Sequence, residues 1–301
     1  AELKMLEIRA GALRTDIKTF LDGEVSGVAH WVQWPQGRLE LCAAPLEVGE
    51  RLSQGLFSRG IPVVLASATL SAGSGLKEFK AHVGLEGARE LMVSSPFDYE
   101  SQAALLVLDN LPPPQQEEAS IAAVAAHCRE IIDAVPGGLF ILFSSWKMLK
   151  RVHELLRAEV TGRPLWAQGA TGSDVLLAYF ARAGNAVLLG VDTFWQGVDV
   201  PGSALSCVVL VKLPFPNFSS PVEEARREYF DSLGRSYFSD HSLPRAVTKF
   251  RQGFGRLIRS TTDRGAVVIL DSRILHKNYG EVFLEALPRC RRLSSFADLK
   301  A

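Results

Sequence analysis

From residue 60 onward, short runs that are apolar at nearly every position alternate with longer stretches of helical period. The runs are IPVVLA (61–66), ALLVLD (104–109), LFILF (139–143), PLWAQ (164–168), AVLLG (186–190), SCVVLVK (206–212) and GAVVILD (265–271). A strand solvated on one face alternates apolar and polar residues; a strand covered on both faces need not. Helical patterns fall between the runs at about 117–134, 146–160, 172–183, 221–233, 244–258 and 279–287. The alternation predicts an α/β fold: a largely parallel sheet flanked by helices. The first sixty residues follow another pattern. AELKMLEIRAGALRTDI predicts an amphipathic helix, and the stretch from His30 to Pro45 predicts a hairpin turning at Pro35–Gly37. Neither has an evident partner, so this portion reads as the end of a unit whose beginning is missing.

Composition narrows the picture. The chain has 301 residues, 47% hydrophobic and 22% charged, which fits a globular protein with one large core or two smaller ones. Lys plus Arg equals Asp plus Glu, at 33 each, so a nucleic-acid footprint has to be local. Residues 245–264 supply one: Arg245, Lys249, Arg251, Arg256, Arg259 and Arg264 stand against the single acid Asp263. Cys42, Cys128, Cys207 and Cys290 are widely spaced and lack the close pairs of zinc or iron–sulfur sites, so they read as reduced thiols of a cytoplasmic protein. No apolar run reaches the ~18 residues of a membrane span, and the amino-terminal stretch does not read as a signal peptide.

Candidate chemistry concentrates in RQGFGRLIRS (251–260). On a helix turning ~100° per residue, Lys249, Gln252, Arg256 and Arg259 fall within roughly 80° of one another. Two guanidinium forks beside an amide suit a polyphosphate whose charge grows during transfer; the plainer alternative is an exposed basic helix bound by surface carboxylates. Gly253 and Gly255 each cost about 1 kcal/mol against alanine, for which close approach of a backbone or ligand is a plausible return. The loop GVDTFWQGVDVPG (190–202) follows a strand at the edge where open α/β sheets place ligands. Its Phe194 and Trp195 could stack a base or plug the core, and its carboxylates could hold a ribose hydroxyl or a water. ASATLS (66–71) and LFSSW (142–146) each end a strand in hydroxyls, which could cap the next segment, hydrogen-bond across an interface or, at Ser144–Trp146, receive a phosphate. No Gly-Lys-Ser/Thr and no Asp-Glu dipeptide occurs, and the six histidines form no ligand-spaced pair, so a self-contained hydrolytic site cannot be assembled.

The motifs SATL (67–70), SPFDY (95–99), LFSSW (142–146), DTFWQGVDVPG (192–202), LPF (213–215), QGFGRLIRS (252–260) and the Asp-x-Arg of ILDSR (269–273) follow one another in an order that resembles DinG-like helicases, bacterial relatives of XPD in superfamily 2. The resemblance runs from about residue 30 to 290. It implies a RecA-like sheet, with residues 1–70 as closing segments of an incomplete first motor domain, 71–93 as a connection and 94–301 as a second motor domain. It also implies an ATP-dependent 5′-to-3′ DNA helicase using ATP and magnesium in the full-length protein, with single-stranded DNA and the missing amino-terminal motor domain as partners, in the cytoplasm near the nucleoid. Carried over residue by residue, Gln252, Arg256 and Arg259 would be catalytic from across a domain cleft. Gly197 and Asp199 would face nucleotide, Ser144, Ser145, Trp146, Thr193, Phe194 and Trp195 DNA, and Ser67 and Thr69 would couple the two. The family's phosphate-binding loop, its acidic magnesium motif and the cysteines of the iron–sulfur cluster that some members carry fall outside this chain, which is expected to hold no metal ligands and to be inactive alone. A rival reading is a nucleic-acid-binding or protein-interaction module that kept the fold without using ATP. A small-molecule α/β enzyme fails for want of a nucleophile, base or cofactor loop.

Overall fold

The computed structural model describes residues 2–23, 27–70, 75–113, 115–191, 194 and 204–300. The chain forms two compact units. One comprises Ala1–Ser67, Gly75–Glu90 and Pro216–Pro244; the other comprises Ala68–Ser74, Leu91–Phe215 and Arg245–Ala301.

The first unit opens with the expected helix, Glu2–Asp22, which buries none of its residues. The expected hairpin follows as β1 (Val28–Gln33) and β2 (Glu40–Pro45), antiparallel and in register from Val28 opposite Pro45 to Gln33 opposite Glu40. Gln36, at φ 51°, makes the turn left-handed between them. The helix Pro221–Ser232 joins this unit through a buried polar knot. Arg226 donates to Glu223 at 2.7 Å and to the Leu46 carbonyl at 3.2 Å, while Tyr237 donates its phenol proton to the other Glu223 oxygen at 2.6 Å. Burial first, and then the Glu223 carboxylate, push the Tyr237 phenol pKa up.

Ile61–Ala66, expected as a strand, forms none: Ile61, Val63, Val64 and Leu65 are exposed. A strand exists only through a neighbour's ladder, and among the described residues none is offered to this segment.

The second unit carries the sheet that the apolar runs predict. Its strands are β3 (Ala103–Val107), β4 (Leu139–Leu142), β5 (Leu165–Ala167), β6 (Val187–Gly190), β7 (Cys207–Leu210), β8 (Gly265–Ile269) and β9 (Arg291–Leu293). Their order is β5-β6-β4-β7-β8-β3-β9, and every pairing is parallel. Both faces are covered, which is why these strands read as unbroken apolar runs. On one face Ile141, Val187, Val209 and Val268 pack with Ile131, Val152 and Leu156 of the helices Glu117–Ala134 and Trp146–Glu159. On the other, Phe140 meets Phe180 of the helix Ser173–Ala183 with ring centroids 4.6 Å apart. Each fully buried aromatic or aliphatic side chain is worth about 1.5–3 kcal/mol.

Arg163 braces the amino end of this sheet without any carboxylate in its bonds. It donates to the carbonyls of Asn185 (2.8 Å), Ile132 (2.7 Å), Val135 (2.6 Å) and Gly137, joining the end of the helix Glu117–Ala134 to the approaches of β4 and β6. Carbonyls at a helix carboxyl end lack intrahelical donors, so one guanidinium satisfies several at once. Arg163→Met is expected to destabilise the sheet unit by about 2–4 kcal/mol, since each orphaned part-buried carbonyl costs on the order of 1 kcal/mol. A urea midpoint equal to that of the parent would contradict this.

Candidate functional site

The cationic segment leaves its helix earlier than its spacing predicts. The helix runs Leu243–Phe254, with Ala246, Val247, Phe250, Gly253 and Phe254 buried. Gly255 still donates to the Arg251 carbonyl at 2.8 Å, but Arg256 bonds Gly253 and Leu257 bonds Phe254, each at 3.2 Å, tightening the last turn to three-residue spacing. Leu257 and Ile258 then turn into the core. Gln252 thus sits on the last helical turn, Arg256 in the exit turn and Arg259 on the loop beyond. The three do not share the helical face that a continuous helix would have given them. Gly255 is close to its own preceding turn: a Cβ there would lie 3.3 Å from the Arg251 carbonyl oxygen.

A buried carboxylate fixes the loop beyond the helix. Asp263, 5% exposed, accepts the N–H groups of Arg259 (2.7 Å) and Ser260 (2.8 Å) on Oδ2 and the Ser260 hydroxyl (2.7 Å) on Oδ1. Burial raises its pKa, but these hydrogen bonds, helped by the Arg259 charge, outweigh burial and hold it below the ordinary 3.8. The SPFDY motif supports the same loop. Asp98 caps the short helix Tyr99–Gln102. Buried Gln102 then donates to the carbonyls of Ser260 (2.9 Å) and Asp263 (3.0 Å), while its own carbonyl accepts from the Asp98 N–H at 2.9 Å. Gln102 and Asp263 carried no signal in the sequence, because their partners declare themselves only in three dimensions.

Of the expected site residues, Thr69 and Gln252 are brought together: Gln252 Nε2 donates to Thr69 Oγ1 at 3.2 Å across 183 positions of sequence. The Gln252 Oε1 atom is buried with no hydrogen-bond partner among the described residues. Arg256 Nε donates to the Gln252 carbonyl at 3.2 Å, and Arg259 is exposed. Ser67 is exposed and belongs to the other unit.

At the carboxyl end of β4, Ser145 caps the helix Trp146–Glu159, its hydroxyl accepting from the Met148 N–H. Ser144 is exposed, and Trp146 is 44% exposed. Phe194 corrects an expectation: it is buried, edge-on to Phe140 and against Gly190, where a Cβ would lie 2.7 Å from the Phe194 ring. It plugs the core and offers no face to a base. Thr193, Trp195, Gly197 and Asp199 lie outside the described residues.

The LPF and Asp-x-Arg motifs fasten to each other. Buried Asp271 accepts the Leu213 N–H at 2.8 Å and both Nε (2.9 Å) and Nη2 (2.6 Å) of Arg273. The Arg273 guanidinium lies 5.9 Å from the centre of the Phe215 ring. Among the described residues no group of three His, Cys, Asp or Glu could hold a metal ion, and no helix is long and apolar enough to cross a membrane.

The family model described as "Helicase C-terminal domain" matches residues 128–290, more than half of the chain, spanning β4 to β8. The chain belongs to the helicase C-terminal domain family. This helicase C-terminal domain is 38% identical over 289 residues to the ATP-dependent DNA helicase YoaA of Escherichia coli, covering 96% of the chain and 45% of that protein. It is 37% identical over 254 residues to the 3′-5′ exonuclease DinG of Bacillus subtilis, covering 82% of the chain and 27% of that protein. The chain thus spans less than half the length of these relatives. Among solved structures an XPD helicase aligns with a TM-score of 0.62 at 16% identity, over 84% of this chain and 46% of that one, a likeness of fold. The helicase C-terminal domain is therefore RecA-like, as its parallel sheet and its motif order lead one to expect.

Proposed function

We propose that this chain is the carboxyl-terminal motor half of a DinG-like, ATP-dependent 5′-to-3′ DNA helicase of the bacterial cytoplasm, working at the nucleoid. It presents Gln252, Arg256 and Arg259 to the triphosphate of an ATP held by a P-loop half, and Ser144, Ser145 and Trp146 to single-stranded DNA. In this reading residues 1–70 close the first motor domain, 71–93 connect, and 94–301 make the second, with 216–244 an excursion that folds with the amino-terminal unit. The loop positions Gly197 and Asp199 would face nucleotide, Thr193 and Trp195 would face DNA, and Ser67 with Thr69 would couple the two.

The observation that carries the reading is the Asp263-locked loop after the helix Leu243–Phe254. Its two arginines leave a braced backbone three residues apart, and pre-positioned guanidinium donors stabilise phosphoryl transfer by charge alone. The donor set fits ATP: two guanidinium groups suit phosphate oxygens. ATP with its magnesium supplies the phosphoanhydride whose hydrolysis drives the motor. Lacking a P-loop lysine and magnesium-holding acids, the chain alone would not hold the γ-phosphate for attack. The related YoaA, named an ATP-dependent DNA helicase, supports the activity.

The test is phosphate release with single-stranded DNA, by the chain alone and after adding a separately made segment bearing the P-loop half. The expected result is turnover on mixing only. Magnesium-dependent turnover by the chain alone would overturn the half-motor reading. Binding to single-stranded DNA that persists unchanged in the Arg256→Ala, Arg259→Ala double variant, with no turnover in a complex shown to assemble, would favour the ATP-independent module.

A further inference from the structure

Lys212 follows the central strand β7, directly before the LPF motif, and the helicase reading assigns it no task. It lies two residues beyond Leu210, and Ser144 lies two residues beyond Leu142, the position paired with Leu210 on the neighbouring strand β4. The ladder continues one step past the strand end, with the Val211 N–H donating to the Leu142 carbonyl at 3.0 Å, and the Leu213 N–H then donates to the Asp271 side-chain Oδ2 at 2.8 Å. Lys212 is held between these two anchors, one strand away from Ser144.

Among the described residues it has no counter-ion. It is half-buried, and no carboxylate among the described residues lies within ion-pairing distance. The two acids whose charge it feels are Asp271 and Glu117, and both are committed. Asp271 is filled by Arg273 and the Leu213 N–H, and Glu117 pairs with Lys147 at 2.8 Å. Burial first, and then the like charge of Arg273, lower the Lys212 pKa. A part-buried ammonium without a partner is costly, and an incoming anion recovers that cost. The helix Trp146–Glu159, fourteen residues long, begins two residues after Ser144 and turns its first N–H groups toward the same end of the sheet. The half-exposed Trp146 ring adds a surface on which a base can stack.

We propose that Lys212 is a DNA-phosphate contact, the charged member of the surface that begins at Ser144, Ser145 and Trp146. This rests on the helicase reading above, which gives Lys212 no role.

The test is fluorescence anisotropy of a labelled oligothymidylate titrated with the chain, with Lys212→Met and with Lys212→Arg, over roughly 50–200 mM salt. Removing one phosphate contact is expected to flatten the log–log salt dependence by about 0.7 and to weaken binding several-fold at low salt. Lys212→Arg should keep the parental slope. The thermal midpoint of Lys212→Met should equal or exceed that of the parent, because the charge removed has no ion pair among the described residues; should that variant fail to fold, Lys212→Gln is read in the same way. Parental affinity and slope in the methionine variant would overturn this inference alone. Absence of oligothymidylate binding by the parent would overturn the DNA-binding surface as a whole, and Lys212 with it.

Discussion

Arg256→Ala, in a protein that joins this chain to a P-loop half, is expected to lower kcat for DNA-stimulated ATP hydrolysis about 10³-fold or more, with KM for ATP changed only a few-fold. An arginine supplied to a transferring phosphoryl group acts on charge that develops in the transition state, and such residues are worth roughly 10³–10⁵ in turnover. A loss in kcat without a matching change in KM is the mark of an interaction absent from the ground state. The geometry adds a specific expectation for lysine. Arg256 uses Nε to hold the Gln252 carbonyl at 3.2 Å, which keeps its fork oriented by its own backbone. A lysine has one head and cannot serve both tasks, so Arg256→Lys should recover little. Steady-state phosphate release with saturating oligonucleotide measures both variants, and an unchanged kcat would remove Arg256 from the transition state.

Asp263→Ala should destabilise the sheet unit by about 3 kcal/mol or more, because three donors lose their acceptor in a buried place and a charged acceptor strengthens each bond. The effect depends on pH in a definite direction. The folded pKa of Asp263 lies below the ordinary 3.8. Its contribution is therefore complete above the unfolded value and is lost as pH falls through the folded one. Urea midpoints of parent and variant should stand apart at neutral pH and converge as the medium is acidified below the unfolded value. A gap that is constant with pH would mean that the carboxylate is not the acceptor that matters. The variant should also lose ATP turnover in the assembled motor, since the Arg259 backbone would no longer be pinned.

Six of the seven apolar runs became strands of one parallel sheet, since a segment buried on both faces must be apolar throughout and that requirement is written locally. Ile61–Ala66 carries the same composition and forms no strand, because pairing is a property of neighbours. β9 escaped notice for the opposite reason: Arg291–Leu293 is short, cationic and at the edge, where one face is solvated. The end of the cationic helix was misplaced by four residues. Arg256 and Arg259 keep helical spacing, but past Phe254 the bonds tighten to three-residue spacing and Leu257 and Ile258 turn into the core. Arg256 and Arg259 stand out in the sequence as cations at helical spacing, whereas the bonds of Gln102 join positions that only the folded chain brings together.

The place of β3 in the sheet has a consequence for how the protein is made. Both neighbours of Ala103–Val107 come from the far end of the chain: Ala103 pairs with Gly265 of β8, and Ala104 with Arg291 of β9. A ribosome adding about 5–20 residues each second leaves that apolar segment without either edge partner for roughly 8–30 s. During that interval it is an open template for any other nascent strand. A chain cut short before residue 265 would keep it so permanently. Truncation from the carboxyl end is thus expected to yield insoluble protein abruptly, at the loss of β8.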